Sequence, residues 1–162
     1  MKYLLPSLLL LISSSLLAEE TNALPVSITT ATDLSSDGKK ALEENRAILL
    51  LISQDHCSYC MQIKREVIAP MILSGDYKDT LLIREIAIDR AETLIDFKGV
   101  EKDNSKFAYE YNVAVTPTLL FLSGEGKEVI EQMVGMQTPD MYYFYVDQSV
   151  QAAIRAVNQS GQ

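Results

Sequence analysis

The apolar positions of this chain fall into strand-length runs and helix-period stripes. Ala47 to Ser53, A-I-L-L-L-I-S, is continuously apolar between polar flanks. A run of that length fits a strand buried on both faces, as in the middle of a parallel sheet. Thr80 to Asp89, T-L-L-I-R-E-I-A-I-D, reads as a second strand, with Glu85 set inside an otherwise apolar stretch. Thr118 to Ser123 and Glu128 to Val134 give two more, and the G-E-G-K between them is hairpin chemistry.

Helical patterning fills the intervals. Ser36 to Asn45 has helical composition, with Ser35 or Ser36 as a cap. From Cys60 to Leu73 one stripe holds Met61, Lys64 and Ile68, another holds Ile63, Val67 and Met71, and Pro70 is expected to end or kink the helix. The stretch to Asn104 has no clear period and reads as an inserted loop or short hairpin. Ser105 to Tyr111 resumes helical composition. A last helix, from about Pro139 to Val157, places Tyr142, Tyr145, Val146, Ser149, Val150, Ala153 and Val157 on one face. The order predicts an α/β sheet with a parallel portion and a terminal antiparallel hairpin. Chemistry in open α/β sheets belongs at the carboxyl ends of the strands.

The N-terminus carries a different signal. Lys2 precedes an apolar run from Tyr3 to Leu17 that ends at Ala18, just before Glu19 and Glu20. This is a signal-peptide pattern over residues 1–18, with a second candidate cleavage after Ala23. Residues 19–36 are then a flexible lead-in, 37–158 one domain and 159–162 a tail. A chain of 162 residues has room for one ordinary domain. Its net charge of −8 argues against nucleic-acid binding and against docking on anionic lipid by charge alone, and it suits a soluble exported protein. A periplasmic or otherwise exported location is therefore expected.

The two cysteines stand in D-H-C-S-Y-C, from Asp55 to Cys60, just past the first strand and at the entrance to a helix. A structural disulfide here would enclose only Ser58 and Tyr59, and so small a loop constrains the unfolded chain little. A reactive pair is the better explanation. Attachment of c-type haem needs a histidine where Met61 stands. Structural zinc needs four ligands, and the chain offers two Cys and one His. A zinc site bridging two copies stays open. Helix N-termini favour anions, so Cys57 is expected to be the exposed attacking thiolate and Cys60 the more buried resolving thiol.

The run A-I-L-L-L-I-S-Q-D-H-C-S-Y-C, with Y-N-V-A-V-T-P-T-L-L-F-L-S-G-E-G-K-E-V further on, resembles the thioredoxin superfamily. C-x-Y-C followed by the K-R-E-V helix resembles, more narrowly, the exported SoxW-like proteins. The resemblance implies a thioredoxin fold, with helices on both faces of a central mixed sheet. It implies that Thr116-Pro117 is a cis-proline loop beside the dithiol, where the backbone of Thr116 pairs with a substrate chain. It also implies a thiol-disulfide oxidoreductase acting on protein disulfides. The redox-active pair replaces any cofactor, and a membrane thiol transporter is the expected reductant. A reductase is expected before an isomerase or oxidase, since this chain has no room for the isomerase's dimerisation domain. A thioredoxin-fold binding or metal- or haem-delivery module with a non-catalytic pair is the alternative from another class.

Two departures from the family bear on mechanism. His56 stands where thioredoxins have tryptophan, either tuning the Cys57 thiolate or lying exposed in its loop. Leu51 stands where they have a buried acid. Glu85 either substitutes by facing the same cavity or pairs with Arg84 or a lysine on a partly exposed face.

Overall fold

The computed structural model describes residues 24–160, so the signal-peptide reading of residues 1–18 lies outside the described residues. Among the described residues no helix is long and apolar enough to cross a membrane.

The chain runs α1 (Leu34–Glu43), β1 (Ala47–Ser53), α2 (Ser58–Ile63), a π-helical stretch (Lys64–Ile68), α3 (Ala69–Ser74), β2 (Leu81–Ala87), β3 (Thr93–Ile95), β4 (Glu101–Asp103), α4 (Asn104–Glu110), β5 (Thr118–Leu122), β6 (Glu128–Val134) and α5 (Tyr142–Ser160). One sheet has the order β2-β1-β5-β6. β1 is parallel to β2 and antiparallel to β5, and β5 is antiparallel to β6. The expected α/β architecture with a central mixed sheet and a terminal antiparallel hairpin is observed. β1 borders one parallel and one antiparallel partner, so the centre of the sheet is mixed.

β1 is buried along its whole length because its side chains feed two cores in alternation. Leu49 and Leu51 join Ile63, Val67, Ile68, Val146 and Val150 beneath α2, α3 and α5. Ile48, Leu50 and Ile52 join Leu34, Ala41, Phe107 and Ala108 beneath α1 and α4. This is the period-two logic of a strand covered on both faces.

Several element details depart from the sequence expectations. The cap of α1 is Asp33, whose carboxylate accepts the Ser36 N–H at 2.9 Å, so neither Ser35 nor Ser36 fills that place. Pro70 neither ends nor breaks its helix. The ladder shifts to a π-turn in which the Ala69 N–H reaches the Lys64 carbonyl, and Pro70 falls in the first turn of α3. A proline there lacks a donor that a helix start leaves unused in any case. The aperiodic stretch forms the small β3–β4 hairpin, a sheet of its own. On α5, Tyr142, Val146, Val150 and Ala153 are buried, whereas Tyr145 points outward.

Residues 28–33, within the expected lead-in, lie along the outer edge of β2. The Ala31 N–H donates to the Glu85 carbonyl at 2.8 Å, the Glu85 N–H donates to the Thr29 carbonyl at 3.0 Å, and Ile28 and Ala31 are buried.

Candidate active site

β1 ends at Ser53, and the turn Gln54–His56 delivers Cys57 to the start of α2. Cys57 is itself the N-cap, in extended conformation, and its Sγ accepts the Cys60 N–H at 3.1 Å. An N-terminal helical N–H aimed at this sulfur is what a thiolate there would use. The two cysteines form a disulfide, with Cα atoms 5.2 Å apart. Cys57 is half-buried and Cys60 fully buried.

The loop before β5 completes the surface. The Thr116–Pro117 peptide bond is cis, Pro117 is buried and Thr116 is half-buried. The Thr116 hydroxyl donates to Gln54 Oε1 at 2.8 Å, tying this loop to the end of β1. The Pro117 carbonyl is taken by the Gly135 N–H at 2.8 Å. Thr116 makes no backbone–backbone hydrogen bond among the described residues. Its N–H and C=O are therefore the kind of unpaired pair that an extended chain can join. Tyr59 and Val115, each at least half exposed, add apolar surface nearby.

A charged rim holds the reactive turn. The Asp55 N–H donates to both carboxylate oxygens of Asp89, and Arg90 grips the Asp55 carboxylate through Nε and Nη2. The Arg90 hydrogen bond, with smaller contributions from the charges of Arg90, Lys64 and His56, holds the Asp55 carboxyl below its ordinary pKa. His56 is exposed and has no hydrogen-bond partner among the described residues.

Glu85 lies beneath the turn, half-buried on β2. Its register partner on β1 is Leu51, so it stands on the sheet face that α2 covers. It is paired with the Lys64 ammonium and accepts the Ser53 hydroxyl at 2.5 Å. Arg84 is not its partner, because Arg84 binds Asp37 on the opposite face. Periodicity carried a trace of Lys64: it fell on the stripe of Met61 and Ile68, a place for a buried side chain. Gln54 and Arg90 left no comparable signal, since loop contacts have no period.

Among the described residues no group of three or more His, Cys, Asp or Glu is placed to hold a metal ion. A cleft of about 620 Å³ lies elsewhere, lined by Leu42, Asn45, Gly124, Lys127, Val129 and Val157.

A DsbH oxidoreductase structure matches with a TM-score of 0.58 at 15% identity, covering 85% of this chain and 94% of its own. A poplar thioredoxin h mutant matches with a TM-score of 0.55 at 19% identity, covering 86% of this chain and 97% of its own. The oxidised mitochondrial thioredoxin 3 of Saccharomyces cerevisiae gives 0.51 at 16% identity, covering 76% and 93%. Identities this low speak to the fold alone. A sequence comparison with curated proteins finds no match. The family profile of the thioredoxin-like domain matches residues 34–149, which run from the first residue of α1 well into α5 and enclose both cysteines and the Thr116–Pro117 loop. With most of its length matched in this way, the chain belongs to the thioredoxin-like domain family.

Proposed function

We propose that this protein is an exported thiol-disulfide oxidoreductase of the SoxW-like kind that reduces disulfides in protein substrates. The observation that carries the reading is the asymmetry of the pair: Cys57 is accessible at a helix start, and Cys60 is buried one turn on. In the reduced protein the Cys57 thiolate attacks one sulfur of a substrate disulfide. The S–S bond of the substrate breaks, its other sulfur leaves with the electron pair and takes up a proton, and a mixed disulfide remains. Cys60 then attacks Cys57 Sγ and expels the second substrate thiolate. Two electrons have passed to the substrate, and Cys57–Cys60 has become the disulfide seen here.

Thr116 and Pro117 hold the substrate during this exchange. The free backbone groups of Thr116 take an extended segment as an added strand, and the buried proline keeps that loop beside Cys57. A membrane thiol transporter returns the electrons on the exported side.

The test joins catalysis to direction. The wild-type protein is expected to accelerate insulin reduction by dithiothreitol, and Cys57→Ser to abolish the acceleration. The pair should equilibrate near about −270 mV against a glutathione or dithiothreitol buffer, in the range of a reducing dithiol. Wild-type activity no greater than that of Cys57→Ser would reject the oxidoreductase reading. A potential near about −120 mV would keep it and reverse the direction.

A further inference from the structure

Lys64 carries its amine into the molecule. Only 8% of its surface is exposed, and its ammonium is ion-paired with Glu85, whose Oε1 also accepts the Ser53 hydroxyl. Burying two charges seldom stabilises a fold, because desolvation offsets the attraction and apolar replacements do as well. The location of the pair offers another use for it. Lys64 stands one turn beyond Cys60, and its backbone N–H bonds the Cys60 carbonyl. Residues four apart on a helix have Cβ atoms about 5–6 Å apart on one face. Cys60 is fully buried, so no water supports its ionised form, and a fixed cation beside it lowers the cost of the thiolate.

We infer that Lys64 is a positioning residue for the resolving step: its ammonium, held by Glu85 and Ser53, favours the thiolate of Cys60. The inference rests on the oxidoreductase reading and deepens it. In the mixed disulfide, Cys60 Sγ–H gives up its proton, which in the net step the departing substrate sulfur takes up. The freed electron pair forms the bond to Cys57 Sγ as the bond between Cys57 and the substrate breaks, and the substrate sulfur leaves with that bond's pair. The two cysteines are oxidised and the substrate is reduced, while Lys64 keeps its proton throughout.

Other charged and titratable groups face this site from each neighbouring segment. The turn after β1 brings Asp55 and His56, and the chain after β2 brings Asp89 and Arg90. The Asp55 charge is already engaged by Arg90. From α5, Tyr142 shares the core on this face of the sheet, but its hydroxyl donates to the Gly135 carbonyl, and burial pushes the phenol up to about 12. Lys64 is thus a buried cation one helical turn beyond Cys60, with Glu85 as its counterion.

The titration of Cys60 tests this without any appeal to catalysis. In Cys57→Ser, Cys60 is the chain's one remaining cysteine, and its ionisation can be followed by thiolate absorbance in the ultraviolet. Adding Lys64→Met should raise the midpoint by about one pH unit or more, and Lys64→Arg should restore most of the shift. Adding Glu85→Gln should lower the midpoint, because it removes the negative charge and leaves the ammonium. That variant carries the test alone should Lys64→Met fail to fold. A midpoint unmoved in both variants, or raised by Glu85→Gln, overturns the proposal. Failure of the wild type to reduce insulin would reject the oxidoreductase reading and leave this titration readable.

Discussion

Asp96 is a carboxylate almost out of water, with 4% of its surface exposed. Burial pulls its pKa upward. The Lys102 ammonium and the N–H groups of Val100 and Lys98 more than offset that, so the carboxyl is held below its ordinary value. The bonds are 2.8 Å from the Val100 N–H, 2.9 Å from the Lys98 N–H and 2.8 Å from Lys102 Nζ, which also reaches Glu110 on α4. This one side chain closes the β3–β4 hairpin and helps to fasten it to α4. A depressed folded-state pKa contributes stability that is fully present above the unfolded value of about 3.9 and lost as pH falls through the folded value. Asp96→Asn should therefore cost about 1.5–3 kcal/mol at neutral pH, the range for hydrogen bonds to a charged group. In urea unfolding the gap between variant and wild type should narrow below about pH 4 and close as Asp96 itself protonates. A gap of equal size at pH 7 and pH 3 would remove the linkage argument.

Between elements, α1 and the β5–β6 turn approach closely, glycine to glycine. A Cβ on Gly38, in the middle of α1, would run into the Gly124 carbonyl oxygen, and it would stand 3.1 Å from Phe97 Cδ1. A Cβ on Gly124 would in turn meet the Gly38 carbonyl at 2.6 Å. Helix α1 thus seats directly on the β5–β6 turn, backbone against backbone. Propensity alone favours alanine at a mid-helix glycine by about 1 kcal/mol. Gly38→Ala is nevertheless expected to lower the urea midpoint, because the obstacle is a main-chain oxygen that cannot rotate away. A midpoint raised by the substitution would mean that α1 shifts freely on the turn. The same contrast separates what the sequence makes legible from what it does not. Runs such as A-I-L-L-L-I-S announce β1 because seven buried positions in strand length leave little choice. Cys57 and Cys60 are legible because their spacing and their place at a strand end constrain the chemistry. The π-turn at Lys64–Ile68 is not, since it arises from how the ladder accommodates Pro70, and the side-chain pattern changes little between α and π. Nor is the partner of Glu85. Its isolation in an apolar strand signals that a counterion must exist, but only packing brings Lys64 rather than Arg84 to it.

At the scale of the whole molecule, a four-stranded sheet has two edges, and this protein treats them differently. β6 is one edge, with a mixed exposed and half-buried pattern along its length. The other, β2, lies next to the strand that carries the reactive turn, and its outer side is covered by residues 28–31 through two backbone hydrogen bonds at Glu85. Glu85 is therefore fixed three ways: by β1 in register, by the preceding segment through its backbone, and by Lys64 and Ser53 through its carboxylate. Residues 28–31 are part of what holds Glu85 beneath the reactive turn. A chain starting at Leu34, where the family match begins, would expose the β2 edge and lose the burial of Ile28, worth about 1.5–3 kcal/mol by area. Compared with a chain starting at Leu24, it should unfold at lower urea and show concentration-dependent association, as an uncovered strand edge invites pairing. Equal urea midpoints with no association at high concentration would show that the β2 edge is stable without its cover. The Cys57–Cys60 pair should still form in the shorter chain, because α2 and β1 position it and neither touches the removed segment in the sheet ladder. Impaired stability with an intact disulfide would separate the support of the site from the site itself.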